Sequence, residues 1–93
     1  MIKSFSDIET ERLCATGKSK RFPPDILKRA IKRLTQLDAA TLIGDLRMPP
    51  SNHLEPLSGK RTGQWSIRIN DQWRICFRFE NGEAYDVEIV DYH

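Results

Sequence analysis

A chain of 93 residues with 39% hydrophobic side chains can build one core but not two, so a single domain spanning 1–93 is expected and a multi-domain machine is excluded. Its two cysteines, Cys14 and Cys76, do not make a disulfide framework and stand too far apart for a zinc motif, so buried or idle thiols are expected. The net charge is only +2, but it is unevenly spread: Lys60, Arg61, Arg68, Arg74 and Arg78 have only Asp71 among them, while Glu80, Glu83, Asp86, Glu88 and Asp91 follow later. That asymmetry is compatible with a basic groove for nucleic acid.

The opening MIKSFSDIETE has no apolar core of signal-peptide length, and no run is long enough to cross a bilayer, so a reducing cytoplasm fits best. Residues 2–5 read as a short strand. Ser6 and Glu9 then have capping-box spacing for a helix that runs to about Thr16 and stops at a left-handed Gly17. Lys18-Ser-Lys-Arg21 follows as a basic connection, which reads either as a solvated loop or as a nucleic-acid contact.

The clearest helix covers about 24–37, where Ile26, Leu27, Ala30, Ile31, Leu34 and Leu37 form one apolar face destined for a sheet. Its other face carries Lys28, Arg29, Lys32 and Arg33. Like charges four apart weaken a helix by a few tenths of a kcal/mol per pair, roughly, which Asp25 in the first turn partly offsets. The stripe is either a soluble face or a surface for backbone phosphates or an acidic protein partner. Asp38 is expected to cap a further short helix through Ala39, Ala40, Leu42 and Ile43 that ends near Gly44, with Met48-Pro-Pro-Ser-Asn52 as a loop. His53 is a lone loop histidine with no second ligand at metal spacing. Leu54 and Leu57 flank a short edge strand at Glu55-Pro56, where proline is tolerated. Residues 58–63 then read as a mobile basic loop.

The stretch GQWSIRINDQWRICFRF, residues 63–79, has the strongest periodicity. Trp65, Ile67 and Ile69 alternate with polar residues, and so do Trp73, Ile75, Phe77 and Phe79, which defines two half-buried strands. A hairpin through Asn70-Asp-Gln72 sets Ile67 opposite Ile75, Trp65 opposite Phe77 and, on the other face, Arg68 opposite Arg74. Like charges directly opposite cost up to about 1 kcal/mol, so an anion between them is one reason to keep them. Removing Arg74 should then leave the fold near wild type or slightly more stable. The alternative is that Arg68, Arg74 and Arg78 solvate an outer face and pair with Asp86 and Glu88.

Asn81-Gly82 marks the next turn, and Tyr85, Val87 and Ile89 form a third alternating run. A two-residue turn would put Asp86 and Glu88 on the apolar face. A three-residue loop through Glu80-Asn-Gly82 avoids this, pairing Ile75 with Val87 and Arg74 with Glu88, and places Tyr92 on the arginine side. There is no internal repeat, and no Walker-type, dinucleotide or nucleophile-elbow pattern.

These residues carry a resemblance. Leu57-Ser-Gly-Lys-Arg61-Thr-Gly63, Trp65-Ser-Ile-Arg-Ile-Asn70, Gln72-Trp-Arg-Ile75 and Val90-Asp-Tyr-His93 are similar to the HigB branch of the RelE superfamily, small bacterial toxins of toxin–antitoxin pairs. The likeness also covers the opening Met1-Ile-Lys-Ser-Phe5 and Leu37-Asp-Ala-Ala40. It implies a compact α+β, RelE-like fold with N-terminal helices on one face of a small antiparallel sheet. The implied activity is a messenger RNA endonuclease acting in the ribosomal A site, without metal or cofactor, through the 2′-hydroxyl. The implied partners are the 70S ribosome and mRNA, a HigA-like helix-turn-helix antitoxin, and operator DNA only through the antitoxin complex.

Such chemistry needs a base for the 2′ proton, cations for the phosphorane and an acid for the departing oxygen. By resemblance, Arg74, Tyr92 and His93 match active-site positions, and Arg61 and Lys60 match less closely. Arg74 and Arg68 are assigned to the scissile phosphate, Tyr92 and His93 to base stacking and proton transfer, and Lys60, Arg61, Asn70 and Arg78 to RNA binding. Two positions depart from the pattern: Ser58 stands where several relatives have lysine, and Glu55 where some have histidine. The other readings are a ParE-like toxin that binds gyrase and a non-catalytic RNA- or ribosome-binding module.

Overall fold

A computed structural model describes residues 1–92; His93, named above for proton transfer, lies outside the described residues. Helices α1 (Ile8–Thr16) and α2 (Pro24–Ala39) precede strands β1 (Glu55–Pro56), β2 (Trp65–Arg68), β3 (Trp73–Glu80) and β4 (Glu83–Asp91). The strands form one antiparallel sheet in the order β1-β2-β3-β4. Leu13 of α1 and Ile26, Ala30, Leu34 and Leu37 of α2 are buried with Ile67, Ile75, Phe77, Val87 and Ile89 of the sheet in one core. Each of these side chains larger than alanine contributes roughly 1.5–3 kcal/mol by leaving water. Both helices therefore cover one sheet face and leave the other to carry polar groups.

The β2–β3 register is the expected one: Trp65 faces Phe77, Ile67 faces Ile75 and Arg68 faces Arg74. The next register is not. Glu80 pairs with Glu83, Phe79 with Ala84 and Arg78 with Tyr85 across a two-residue Asn81-Gly82 turn, and beyond an irregularity Cys76 pairs with Glu88, Ile75 with Ile89 and Arg74 with Val90. Asp86, at φ 55°, is the extra residue of a bulge. The bulge shifts the count by one, so Tyr85 and Asp86 both leave the apolar face and Val87 returns to it. Arg74 thus lies opposite Val90 rather than Glu88.

The opening segment explains why the bulge sits there. Ile2 and Phe5 make parallel bridges to Ala84 and Val87 rather than a full strand. The Asp86 N–H donates to Ser4 Oγ at 2.9 Å and the Ser6 hydroxyl donates to the Asp86 carbonyl at 3.1 Å, so both backbone groups left unpaired by the bulge are satisfied. Ser6 is consequently not the helix cap. Asp7 takes that place, accepting from the Thr10 N–H at 3.0 Å, and Gly17 closes α1 at φ 75° as expected.

Asp38 also differs from expectation. It lies within α2 and accepts from the Ile2 N–H at 2.8 Å, while the following 3-10 turn, Ile43–Arg47, is opened by Asp45, which accepts from the Thr41 and Leu42 N–H groups. Residues 58–63 contain a 3-10 turn at Gly59–Arg61, closed by Gln64 N–H to the Arg61 carbonyl at 2.9 Å.

Burial pushes the Asp7 carboxyl up, but hydrogen bonds from the Arg21 guanidinium and from Thr10 outweigh it and hold the group below the usual carboxylate range. A group depressed in the folded state stabilises above its unfolded pKa, near 3.9, and that stability is lost as pH falls through the folded value. Asp7→Ala should therefore cost about 1 kcal/mol at neutral pH and flatten the acid side of the melting curve. A melting temperature that follows wild type at neutral pH and into acid would show that the cap and its ion pair contribute nothing.

Candidate active site

The bare sheet face has two small, fully buried side chains as its floor, Ser66 and Cys76, which face each other across β2 and β3. Burial pushes the Cys76 thiol up, which fits an inert filler better than a nucleophile. Around this floor stand Arg74, Arg61, Glu88, Glu55 and Tyr92.

Arg74 is the most constrained of them. Its side chain is only 12% exposed. Nε donates to Ser66 Oγ at 2.8 Å, Nη2 donates to the His53 carbonyl at 2.6 Å, and Nη2 also lies 3.5 Å from Glu55 Oε1. The Tyr92 ring centroid is 5.7 Å from the guanidinium carbon, within cation–π range. Tyr92 is in turn held by its N–H donating to the Gln72 carbonyl at 2.5 Å, and its ring remains exposed. A planar guanidinium fixed along one edge, with an aromatic ring beside it, is a preorganised cation for an oxyanion.

Arg61 arrives from the 3-10 turn. Nη1 donates to Gln64 Oε1 at 3.0 Å and pairs with Glu88 Oε1 at 2.8 Å. The Glu88 hydrogen bond raises the Arg61 pKa further, so this cation stays charged. Glu88 reaches Arg61 because the bulge sets it opposite Cys76. Lys60, next in the same turn, is exposed. Glu55 projects from the edge strand β1 with half of its side chain exposed.

The remaining site residues named from the sequence are engaged by other partners. Arg68 faces Arg74 in the ladder as expected, but its guanidinium pairs with Asp71, a carboxylate that is 95% exposed. That pair is a weak tether in water. Arg78 is taken up by Asp86 at 2.8 Å and Glu80 at 2.7 Å and lies over the Tyr85 ring. For Arg78 the outer-face alternative describes the geometry. Asn70 caps its own turn, its Oδ1 accepting from the Gln72 and Trp73 N–H groups at 2.9 and 2.8 Å.

Ser66 and the His53 carbonyl were not singled out in the sequence. Ser66 had a signal: it faces Cys76 and lies diagonally from Arg74 on the same sheet face, within reach of a long side chain. The His53 carbonyl had none, because its direction depends on the left-handed backbone of that residue, at φ 44°.

The fold is shared with solved bacterial toxins. An Escherichia coli YafQ variant superposes with a TM-score of 0.64 at 12% identity, covering 98% of this chain and 91% of that one. A Staphylococcus aureus YoeB–YefM complex gives 0.58 at 16% identity, covering 100% and 95%. These likenesses show that the chain has the α+β fold of those proteins.

Sequence narrows this further. The family model for the RelE-like toxin of the type II toxin–antitoxin system HigB matches residues 3–93. The chain is 41% identical over 93 residues to the endoribonuclease HigB of Proteus vulgaris, covering the whole of both, and 38% identical over 85 residues to toxin HigB-1 of Vibrio cholerae, covering 90% of each. The chain belongs to the HigB-like family of type II toxins, and its partner class is therefore an antitoxin.

Proposed function

We propose that the protein is a ribosome-dependent mRNA endonuclease that cuts in the A site, working in the cytoplasm and neutralised by a HigA-like helix-turn-helix antitoxin. Operator DNA is reached only through that antitoxin. The observation that carries the reading is the fixed Arg74 guanidinium, flanked by the Tyr92 ring, a half-exposed carboxylate at Glu55 and the Arg61 cation. A gyrase-binding toxin or a passive RNA binder needs cations, but not a proton acceptor beside one held so firmly.

In this reading the 2′-oxygen forms a bond to phosphorus as the bond from phosphorus to the 5′-oxygen breaks, leaving a cyclic phosphate and a 5′-hydroxyl. Arg74 stabilises the charge on the phosphorane, assisted by Arg61 and by Arg68 once Asp71 lets go. Glu55 takes the 2′ proton. Tyr92 stacks a base, and proton delivery to the leaving oxygen falls to His93 or the Tyr92 hydroxyl. The chain's own groups suffice for these steps, so the reaction needs no metal.

A site this open positions RNA poorly by itself, and the ribosome supplies the orientation. Incubated with purified ribosome complexes, the protein should cut mRNA in the A site and leave the same naked RNA largely intact. Equal rates on the two substrates would overturn the proposal, and so would intact mRNA alongside inhibited gyrase.

A further inference from the structure

A second cationic site lies away from that face, in the groove between α2 and the end of β2. A cavity of about 310 Å³ is lined by Arg29, Lys32, Arg33, Pro49, Ser51, Arg68 and Ile69. It adjoins a wider trough of about 470 Å³ that adds Lys28, Asn70 and one acid, Asp25. Arg33 is the unusual member, because an arginine is almost never buried without an anion and this one is 6% exposed. Its Nε donates to the Arg68 carbonyl at 3.1 Å and Nη2 to Ser51 Oγ at 3.2 Å, while Arg29 Nη1 donates to the Ile69 carbonyl at 3.2 Å. Among the described residues, Lys28, Arg29, Lys32 and Arg33 form no salt bridge.

Four like charges have thus been gathered, and two of them, Arg29 and Arg33, are fixed to neutral carbonyls and a hydroxyl, an arrangement that stores repulsion. Burial and the neighbouring Arg29 both push the Arg33 pKa down, the direction an unoccupied anion site gives. Ser51 Oγ accepts from Arg33, which leaves its hydroxyl proton to donate outward.

We propose that this groove binds successive phosphates of an RNA backbone, with Arg33, Arg29, Lys32 and Ser51 holding one phosphate and Lys28 the next. Lys28 and Lys32 stand one helical turn apart, about 6 Å along the axis, a spacing on the scale of neighbouring phosphates in one strand. The groove also meets the candidate active face at Arg68, whose carbonyl holds Arg33 and whose side chain is on the catalytic side. A strand engaged in the groove is therefore led towards Arg74. This inference deepens the nuclease reading by giving the same RNA, or the ribosomal RNA beside it, a second anchor.

Binding can be tested without cleavage. The Arg33 and Arg29 side-chain NMR signals of the full-length protein are followed as inorganic phosphate and then a 2′-O-methyl RNA oligonucleotide are added, with polyglutamate as the competing polyanion. The expected result is that phosphate and RNA both move these signals. In the salt dependence of RNA affinity, Lys32→Gln should lower the slope by about 0.7, whereas Lys3→Gln, on the opening segment, should not. Unmoved Arg33 and Arg29 signals with both phosphate and RNA, or movement with polyglutamate alone, would overturn the site. If wild-type protein binds as expected yet leaves ribosome-bound mRNA whole, the nuclease reading fails and the groove stands.

Discussion

Arg74→Lys should reduce cleavage of ribosome-bound mRNA by about two to three orders of magnitude, the usual cost of losing one preorganised transition-state donor. Lysine keeps the charge, but it has no planar fork to satisfy Ser66 Oγ and the His53 carbonyl while facing substrate. Arg74→Ala is the less informative change. The like-charge argument expects it to be neutral or stabilising, but the side chain is largely buried and bridges β3 to the loop before β1. Its removal leaves the Ser66 hydroxyl and the His53 carbonyl without their donor, and for the buried Ser66 that loss costs about 1–3 kcal/mol. Folding and chemistry are separated by measuring melting temperature beside single-turnover rate. A lysine variant that melts like wild type and cleaves at the wild-type rate would show Arg74 to be purely structural.

Glu55→Gln should have an effect of comparable size or larger, a loss of about 10²- to 10⁴-fold for removal of a general base, with antitoxin binding unchanged. Glutamine keeps the shape of the side chain and its place on β1, so the fold should be retained. The comparison with deletion of His93 is decisive between the two assignments of proton transfer. If Glu55 is the base, its variant loses the step that begins at the 2′-oxygen, and the His93 deletion affects only delivery to the leaving group. A Glu55→Gln protein as fast as wild type, with a His93 deletion that is dead, would move the base to the end of the chain.

The parts of this fold that could be read from the sequence are those fixed by local periodicity. Alternation in 65–79 determines the Arg68–Arg74 register, because a slip of one residue would send every isoleucine to water. The apolar stripe of α2 and Gly17 at the end of α1 are legible for the same reason. The β3–β4 register was misjudged because counting from the turn assumes an uninterrupted ladder. Asp86 breaks it, and what makes a left-handed aspartate tolerable is the distant Ser4 and Ser6, more than 75 residues away in sequence.

The candidate site was legible to a similar depth. Arg74, Tyr92 and Arg61 do gather, since the outer-face alternation and the basic turn before β2 put them there. The consequence of the bulge, Glu88 moving from Arg74 to Arg61, was not visible. Nor were the tethers that withdraw Arg78 and Asn70, which depend on which carboxylate or turn amide is nearest in space. The buried Arg33 looked like one more charge on a polar stripe; only the packing of Ser51 and the Arg68 carbonyl against it sets it apart.

The central claim is that the fixed arginine serves a transesterification begun by the 2′-hydroxyl of the RNA. The most direct measurement replaces that hydroxyl by hydrogen at the single scissile nucleotide of an mRNA held in the ribosomal A site. The substituted mRNA is expected to bind the protein–ribosome complex as well as the natural one and to remain uncut, while the natural strand ends in a cyclic phosphate. Cleavage of the deoxy-substituted strand at the natural rate would contradict it.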